Sequence, residues 1–411
     1  MEEPLPTRLI KPESHALHLA QRLASADNKH FRTTINSDWQ REVQNILAQD
    51  IQTRSAPIQA AAMIVERKTG LVRAYVGSAT YSSQTRKGAI NYLTALRSPG
   101  STLKPLVYAK ALNRNLIAYD HVFDDTAYFK SGYRPTNFSE GFGGKVSLKQ
   151  SLLASLNIPA IRALEKVGPD LLQAELNTYL DGSLNSQQLA GLSLAVGGLY
   201  LTPEQLMNIY IGLVDPGYAR RLSFDEGNAS MSDLTLVSQN TANQIQSLLI
   251  QDMANGERVA FKTGTSFARQ DAWSVQIYEK HLVLVWIGTP DNEPTTTLTG
   301  ASAAFPVSLA IGRSLGLAPP SLPQVKIVQV SSEFQIEEAC SDLIQYPEDN
   351  AWIKSPSQQI TITGDQDATW YLNGLKLRPQ MTQAQITEPG INTITAVRGD
   401  CSETNEFFVD F

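Results

Sequence analysis

The chain has 411 residues, of which 42% are hydrophobic and 18% charged, with a formal net charge of −6. That length admits two or three domains and a well-buried core. The acidic balance excludes a general nucleic-acid binder, which needs a basic face to neutralise phosphates, but leaves room for a local basic cleft.

No apolar run reaches the length needed to cross a bilayer. The opening Met1-Glu2-Glu3-Pro4 lacks the basic and apolar regions of a signal peptide. As written, the chain is expected to be soluble. It has no CxxC pair and no histidine-rich cluster, so no metal site is expected.

Residues 1–55 read as a polar, helical attachment rather than a core. Trp39, Val43, Ile46 and Leu47 fall on one helical face, and Ser37 with Gln40 has the spacing of a capping box. The pattern changes near Gln59. Ala61–Val65 and Leu71–Val76 are strand-like and flank Glu66-Arg67-Lys68-Thr69-Gly70, which predicts a β-hairpin. A helix-rich middle follows, from Ser101 to Gln251. Strands return at Val259–Thr263, Trp273–Tyr278 and Leu282–Ile287. Strands at both ends of a helical middle imply an antiparallel sheet assembled from distant pieces, an α+β fold.

Ala318-Pro319-Pro320-Ser321-Leu322-Pro323 is a stiff linker. Beyond it, 360–363, 369–372 and 391–397 read as strands, with Asn373-Gly374 and Pro389-Gly390 as turns. The expected division is an attachment at 1–55, a main domain at 56–318, a linker at 319–323 and a β-sandwich at 324–411. Cys340 and Cys401 leave two readings open: two unrelated buried thiols, or one disulfide stapling the terminal domain.

The chemistry begins at Ser98-Pro99-Gly100-Ser101-Thr102-Leu103-Lys104-Pro105. A Pro-Gly turn leads into a helical run, which puts Ser101 at a helix N-terminus, where free amides favour negative charge. Lys104 lies one turn on, on the same face. A serine hydroxyl needs a base, and lysine serves only when neutral. Moving a lysine pKa from about 10.4 to near 7 costs roughly 4–5 kcal/mol. Burial and a second nearby cation supply such shifts. About one Ser-x-x-Lys is expected by chance, but this one is unique in the chain and has the required turn-then-helix context.

Ser155-Leu156-Asn157 carries little weight alone; two polar residues ending a helix would look the same. Val259-Ala260-Phe261-Lys262-Thr263-Gly264-Thr265-Ser266 is an apolar run leading into a cation, hydroxyls and a glycine. Gly264 is expected to let a ligand backbone approach the strand, Lys262 to be the second cation, and Thr263 and Thr265 to bond a carboxylate. Lys68-Thr69-Gly70 repeats the triplet inside a hairpin turn and reads as turn chemistry only.

Together the segments resemble the penicillin-recognising serine enzymes, marked by Ser-x-x-Lys, Ser-x-Asn and Lys-Thr-Gly in that order. The wider wording, with Ile158-Pro159-Ala160, Gly197-Gly198 and Leu201-Thr202-Pro203, resembles class A penicillin-binding proteins over roughly residues 30–411. The β-rich tail after a Pro linker fits one type within that class.

The resemblance implies a peptidoglycan D,D-transpeptidase that is inhibited by β-lactams and uses no cofactor. Ser101 would attack the carbonyl between two terminal D-alanines of a stem peptide, with Lys104 as base. Ser155 and Lys262 would relay the proton, and Asn157 would hold the peptide amide. Thr263 and Thr265 would hold the carboxylate, and the amides of Ser101 and Thr265 would form the oxyanion hole. Class A members also carry a membrane anchor and a glycosyltransferase domain. The chain is therefore expected to be an excised piece of a periplasmic protein that faces outward from the inner membrane. That location would explain a Cys340–Cys401 disulfide, and the C-terminal domain would be free to meet other periplasmic proteins.

The rivals are a β-lactamase, a D,D-carboxypeptidase and a β-lactam-binding scaffold with weak catalysis. The Glu-x-x-Leu-Asn motif of class A β-lactamases is missing. His15, His18, His30, His121 and His281 lack a Gly-x-Ser-x-Gly partner and are expected to be solvated or structural. Trp273 and Trp286 are expected in the core, and Arg269 with Asp271 as an ordinary loop charge pair rather than a lining of the cleft mouth.

Overall fold

The computed structural model describes residues 15–24, 31–55, 57–128, 130, 133–138, 141–184, 189–216, 219–225, 231–232, 234–327, 343–348, 351–373, 375–378, 382–387, 389–398 and 401–410. The chain divides into two compact units: Met1–Ile117 with Ala163–Lys326, and Ala118–Arg162 with Ile327–Phe411.

The first unit is built on a six-stranded sheet. In spatial order its strands are Val72–Val76, Gln59–Glu66, His281–Gly288, Asp271–Ile277, Arg258–Thr265 and Ile250–Asp252. Every pairing is antiparallel. The first two strands form the expected hairpin, and the amides of Thr69 and Gly70 close its turn on the Glu66 carbonyl. Gln59–Glu66 then pairs with His281–Gly288 from more than two hundred residues away, so the sheet is assembled from both ends of the unit.

Side chains alternate across the pleat. Ala60, Ala62 and Ile64 face the same side as Val283, Val285 and Ile287, where they meet Val43, Leu47 and Ile51 of helix Ser37–Gln52 and Val307 and Ile311 of helix Phe305–Ser314. The intervening Met63, Val65, Trp273, Val275, Leu284 and Trp286 are equally buried, so both faces of the sheet are covered. Helix Lys104–Asn113 is buried from Lys104 through Leu112. Such burial on all sides marks a helix enclosed by protein.

Two local expectations change. Helix Ser37–Gln52 falls within the segment expected to be a polar attachment, yet its apolar face completes the core on one side of the sheet. Its cap is Asn36, whose side chain accepts from the amides of Asp38 and Trp39. Ser37 is already helical, and Gln40 is not its capping partner. The Gln40 amide instead bonds both the N–H and the C=O of Tyr75, fully buried against strand Val72–Val76.

In the second unit, Val122–Asp125 pairs with Gly144–Ser147, and helix Leu148–Leu153 follows behind a Ser147–Gln150 capping box. The C-terminal part is all β. A five-stranded sheet runs Ala351–Lys354, Cys401–Asp410, Gly390–Arg398, Thr369–Leu372, Leu375–Lys376, and its first pairing is parallel. Two small sheets pair Ile344–Tyr346 with Thr363–Gly364 and Gln359–Thr361 with Gln383–Gln385. Ile344, Ile360 and Ala384 from the small sheets share one core with Leu372, Ile394, Ala396, Phe407 and Val409 from the large one. The strand expected at 360–363 is broken at Ile362, and its halves pair with different partners. The Cys340–Cys401 pairing lies outside the described residues. Among the described residues, no helix is long and apolar enough to cross a membrane.

The cap assignment is open to test. Asn36→Ala should lower stability by about 1 kcal/mol, whereas Ser37→Ala should cost under about 0.5 kcal/mol, read from denaturant midpoints. Equal losses would return the cap to Ser37.

Candidate active site

Ser101 sits in a 3₁₀ turn, Gly100–Leu103, that runs directly into helix Lys104–Asn113. The Lys104 amide donates to the Ser101 carbonyl, fixing the two residues one turn apart. Pro105 at the start of the helix fits because its missing N–H would be unpaired there in any case. The turn is held at several points. The Thr102 hydroxyl donates to Pro99 O at 2.7 Å, Tyr210 Oη donates to Thr102 O at 2.8 Å, and Trp273 Nε1 donates to Ser98 O at 2.8 Å. The Ser98 hydroxyl donates to Gly197 O at 2.8 Å.

The turn lies against strand Arg258–Thr265 at backbone range. Gly100 has φ +53°, and a Cβ there would stand 2.5 Å from Thr265 O and 2.9 Å from Thr265 N. A Cβ on Gly264 would stand 2.4 Å from Pro99 O and 3.1 Å from Thr102 N. Real Cβ atoms do not approach backbone so closely, so glycine is required on both sides. Behind the strand, Gly300 comes as close to the Gly264 backbone. Gly264 therefore does something other than expected: the backbone it admits is the protein's own turn at Gly100–Leu103.

Strand Ile250–Asp252 pairs only with Arg258–Ala260. From Phe261 to Thr265 the strand pairs with Asp271–Ile277 on one side, and among the described residues no strand pairs with it on the other. This leaves an open edge beside Ser101, a place for an extended peptide to add in register. The Thr265 hydroxyl accepts from Gly300 N at 3.0 Å and keeps its own proton to donate.

Two lysines are buried at this contact. Lys104 is wholly inaccessible and Lys262 is 4% exposed. Burial pushes the Lys262 ammonium down to about 7, because desolvation penalises the charged form. Its Nζ donates to Thr263 O at 2.9 Å. Lys262 can thus exchange a proton near neutrality and is not a permanent cation. Thr263, like Thr265, is partly exposed on the strand face opposite Lys262. Ser101, Lys104, Lys262, Thr263, Gly264 and Thr265 are thereby carried by one turn, the helix that continues it and one strand in direct contact with the turn.

Ser155 and Asn157 belong to the second unit. Ser155 has φ +57°, a left-handed conformation uncommon for serine and characteristic of functional turns. Asn157 opens helix Asn157–Val167. The buried Asn137 supplies the cap from outside: its Oδ1 accepts from the Asn157 amide at 2.7 Å, and its Nδ2 donates to both oxygens of buried Asp125 at 2.8 and 2.9 Å. The Asn157 side chain donates to Thr136 O at 2.6 Å. Neither Asn137 nor Asp125 carries a sequence signal, since both lie outside any motif.

Asp271 is not the partner of Arg269 in a loop. It opens strand Asp271–Ile277, is 2% exposed and accepts from Trp286 Nε1 at 2.9 Å. Its amide donates to Ser266 Oγ at 2.8 Å, tying down the chain just past Thr265. Burial raises its carboxyl pKa, against the pull of Trp286 and Arg97. The two tryptophans are fully buried, as expected. His18 and His281 serve structure: His18 Nε2 lies 3.1 Å from Gly88 O, and His281 packs edge-on to Trp39.

The family described as the penicillin binding protein transpeptidase domain matches residues 60–287, more than half of the chain. The chain belongs to this transpeptidase family. It is 30% identical to penicillin-binding protein 1C of Escherichia coli over 322 residues, covering 76% of this chain and 42% of that protein. It is also 30% identical to penicillin-binding protein 1B of Vibrio cholerae over 300 residues, covering 66% of this chain and 38% of that one. The chain thus spans about two fifths of the length of these curated relatives. Among solved structures, the penicillin-binding protein PonA1 of Mycobacterium tuberculosis is similar at a TM-score of 0.62 and 21% identity, covering 73% of this chain and 88% of that one. A structure of PonA1 in complex with penicillin V matches equally well. At that identity the likeness establishes the α+β transpeptidase fold.

The buried Lys262 sets a pH dependence of stability. Its pKa in the folded chain lies below the unfolded value, so the cost of burying the ammonium is full below about pH 7 and vanishes as pH rises toward 10.5. Lys262→Met should stabilise the fold at pH 6, by on the order of 4 kcal/mol at most, and flatten the rise between pH 7 and 10. Thermal melts across that range check this, and loss of stability at pH 6 would contradict it.

Proposed function

We propose that the chain is the penicillin-sensitive D,D-transpeptidase part of a peptidoglycan synthase and works through an acyl-enzyme on Ser101. The observation that carries this reading is the contact of the Ser101 turn with the open edge of strand Arg258–Thr265, with Lys104 and Lys262 buried at it.

In this reading an extended stem peptide ending in D-Ala-D-Ala lies along the open edge. Its carboxylate meets the hydroxyls of Thr263 and Thr265, and its amide meets Asn157. Lys104 takes the Ser101 proton as Oγ attacks the scissile carbonyl, and the amides of Ser101 and Thr265 receive the developing oxyanion. Losing one such donor typically costs about 10²–10³ in rate. Lys262, near its midpoint at neutral pH, passes a proton through Ser155 to the departing D-alanine. The amine of a second stem peptide then takes the acyl group, closing a cross-link and releasing Ser101. A β-lactam acylates Ser101 in the same way and stalls there.

The proposal extends to the protein's setting. The periplasmic location, the membrane anchor and the glycosyltransferase domain of the longer protein belong to it. So do the linker at 319–323 and periplasmic partners of the C-terminal β domain.

Fluorescent penicillin tests the reading. Wild-type protein should carry a covalent label that persists for hours. Ser101→Ala should lose it while keeping its circular-dichroism spectrum. Label retained in Ser101→Ala would place the nucleophile elsewhere, and label lost within minutes from wild type would favour a hydrolase. Lys262→Ala should slow labelling by at least about ten-fold, the scale of a lost general acid–base group, while Lys68→Ala in the hairpin turn should leave it unchanged. Equal effects would reject the choice of triplet.

A further inference from the structure

The residue before helix Asn157–Val167 is Leu156, whose side chain has no oxygen to offer to the first amides. The acceptor comes from Asn137, twenty residues earlier, whose Oδ1 takes the Asn157 amide at 2.7 Å. An asparagine does this only with its oxygen turned toward the helix; rotated by half a turn it would set one N–H against another. What fixes the orientation lies on its other side. Asn137 Nδ2 donates to both oxygens of Asp125, at 2.8 and 2.9 Å, and to Gly141 O at 2.9 Å. A carboxylate accepts and does not donate, so it meets only the Nδ2 end of the amide.

Asp125 ends strand Val122–Asp125 and is fully buried. The groups that meet its oxygens are neutral: the Asn137 amide, and the Gly143 N–H at 2.7 Å. Burying a carboxylate is costly unless its oxygens are bonded. The bonds here meet that need and also lock the polarity of Asn137. Asn137 is itself 2% exposed, so neither residue reaches a ligand directly. Their reach is through Asn157. Asn137 holds its backbone amide, and the carbonyl of the adjacent Thr136 accepts from its Nδ2 at 2.6 Å. Two consecutive residues thus grip the backbone and the side chain of Asn157. With Nδ2 on Thr136, the Oδ1 end is the one suited to accept from a ligand N–H.

We propose that Asp125 is a positioning residue for acylation, setting through Asn137 the orientation in which Asn157 receives the ligand's amide. This rests on the acylation reading above, in which Asn157 holds that amide. The Asp125 carboxylate fixes the Asn137 amide, the Asn137 oxygen fixes the Asn157 backbone, and Thr136 fixes the Asn157 side chain. Asp125→Asn keeps the shape of the side chain and removes the polarity. Two facing side-chain amides pair either way round, and in one of the two Asn137 turns its Nδ2 to the Asn157 N–H. The helix start then loses its acceptor, and Asn157 leaves its place.

The experiment compares two penicillins on the full chain. Benzylpenicillin carries an acyl amide beside its lactam ring, and 6-aminopenicillanic acid carries a free amine there. Second-order rate constants of Ser101 acylation are read by intact mass, and the ratio of the first compound to the second reports what the acyl amide contributes. Asn157→Ala and Asp125→Asn should each lower that ratio roughly three- to ten-fold, the scale of one hydrogen bond. Adding Asp125→Asn to Asn157→Ala should change it by less than about two-fold, because the effect passes through that side chain. The swapped pair, Asp125→Asn with Asn137→Asp, again sets an acceptor against the Asn157 amide. It should return the ratio to within about two-fold of wild type, and this holds even if Asp125→Asn alone does not fold. A lowered ratio in Asn157→Ala beside an unchanged one in Asp125→Asn would make Asp125 a support of the fold and overturn this inference alone. So would a further fall in the Asn157→Ala background, or a folded swapped pair whose ratio stays low. A wild-type ratio in Asn157→Ala would overturn the role of Asn157, and a wild-type protein that neither compound acylates would overturn the acyl-enzyme reading; either result takes this inference with it.

Discussion

The structure depends on one contact: the backbone of the turn at Gly100–Leu103 lying directly on the backbone of strand Arg258–Thr265. Gly100 and Gly264 face each other's segments with no room for a Cβ, and Gly300 closes on the strand from behind. The hydrogen bonds from Trp273, Tyr210 and Thr102 fasten the turn in that position. Overpacking such a contact by one methyl group typically costs about 1–3 kcal/mol, and here it would also push the turn off the strand. The stability of the unit and the placement of Ser101 therefore depend on the same atoms.

Holding that contact brings an electrostatic cost. Lys104 and Lys262 are both buried, and an ammonium at Lys262 costs the fold stability below neutral pH. For Lys262 the outcome is a group whose proton is loosely held near neutrality. Ammonium groups in apolar surroundings give up charge rather than pay full desolvation. The strain at Ser155 and at Ala268–Arg269 has the same character, since each is a non-glycine residue held left-handed close to a proposed functional side chain.

Much of the first unit was legible in the sequence because its signals are local. The hairpin at 59–76, the strands near 259, 273 and 282, and the turn-then-helix at Ser101 all follow from period, turn residues and helix-start chemistry. Other features were illegible for physical reasons. The cap at Asn36 and the buried role of Gln40 hinge on which polar side chain finds a backbone partner in a distant strand. The Asn137–Asp125 strut and the Asp271–Trp286 bond join residues from separate segments, and neither residue type announces its partner. Gly264 was read as an opening for ligand because the sequence cannot show that Pro99 and Thr102 already fill it.

The most direct test of the account is a crystal structure of the protein after exposure to benzylpenicillin. The account predicts density continuous with Ser101 Oγ. It also predicts the acyl carbonyl oxygen at about 2.7–3.1 Å from the amide nitrogens of both Ser101 and Thr265, the range expected for oxyanion-hole donors. An adduct on any other side chain, or a Ser101 adduct whose carbonyl oxygen points away from Thr265, would contradict it.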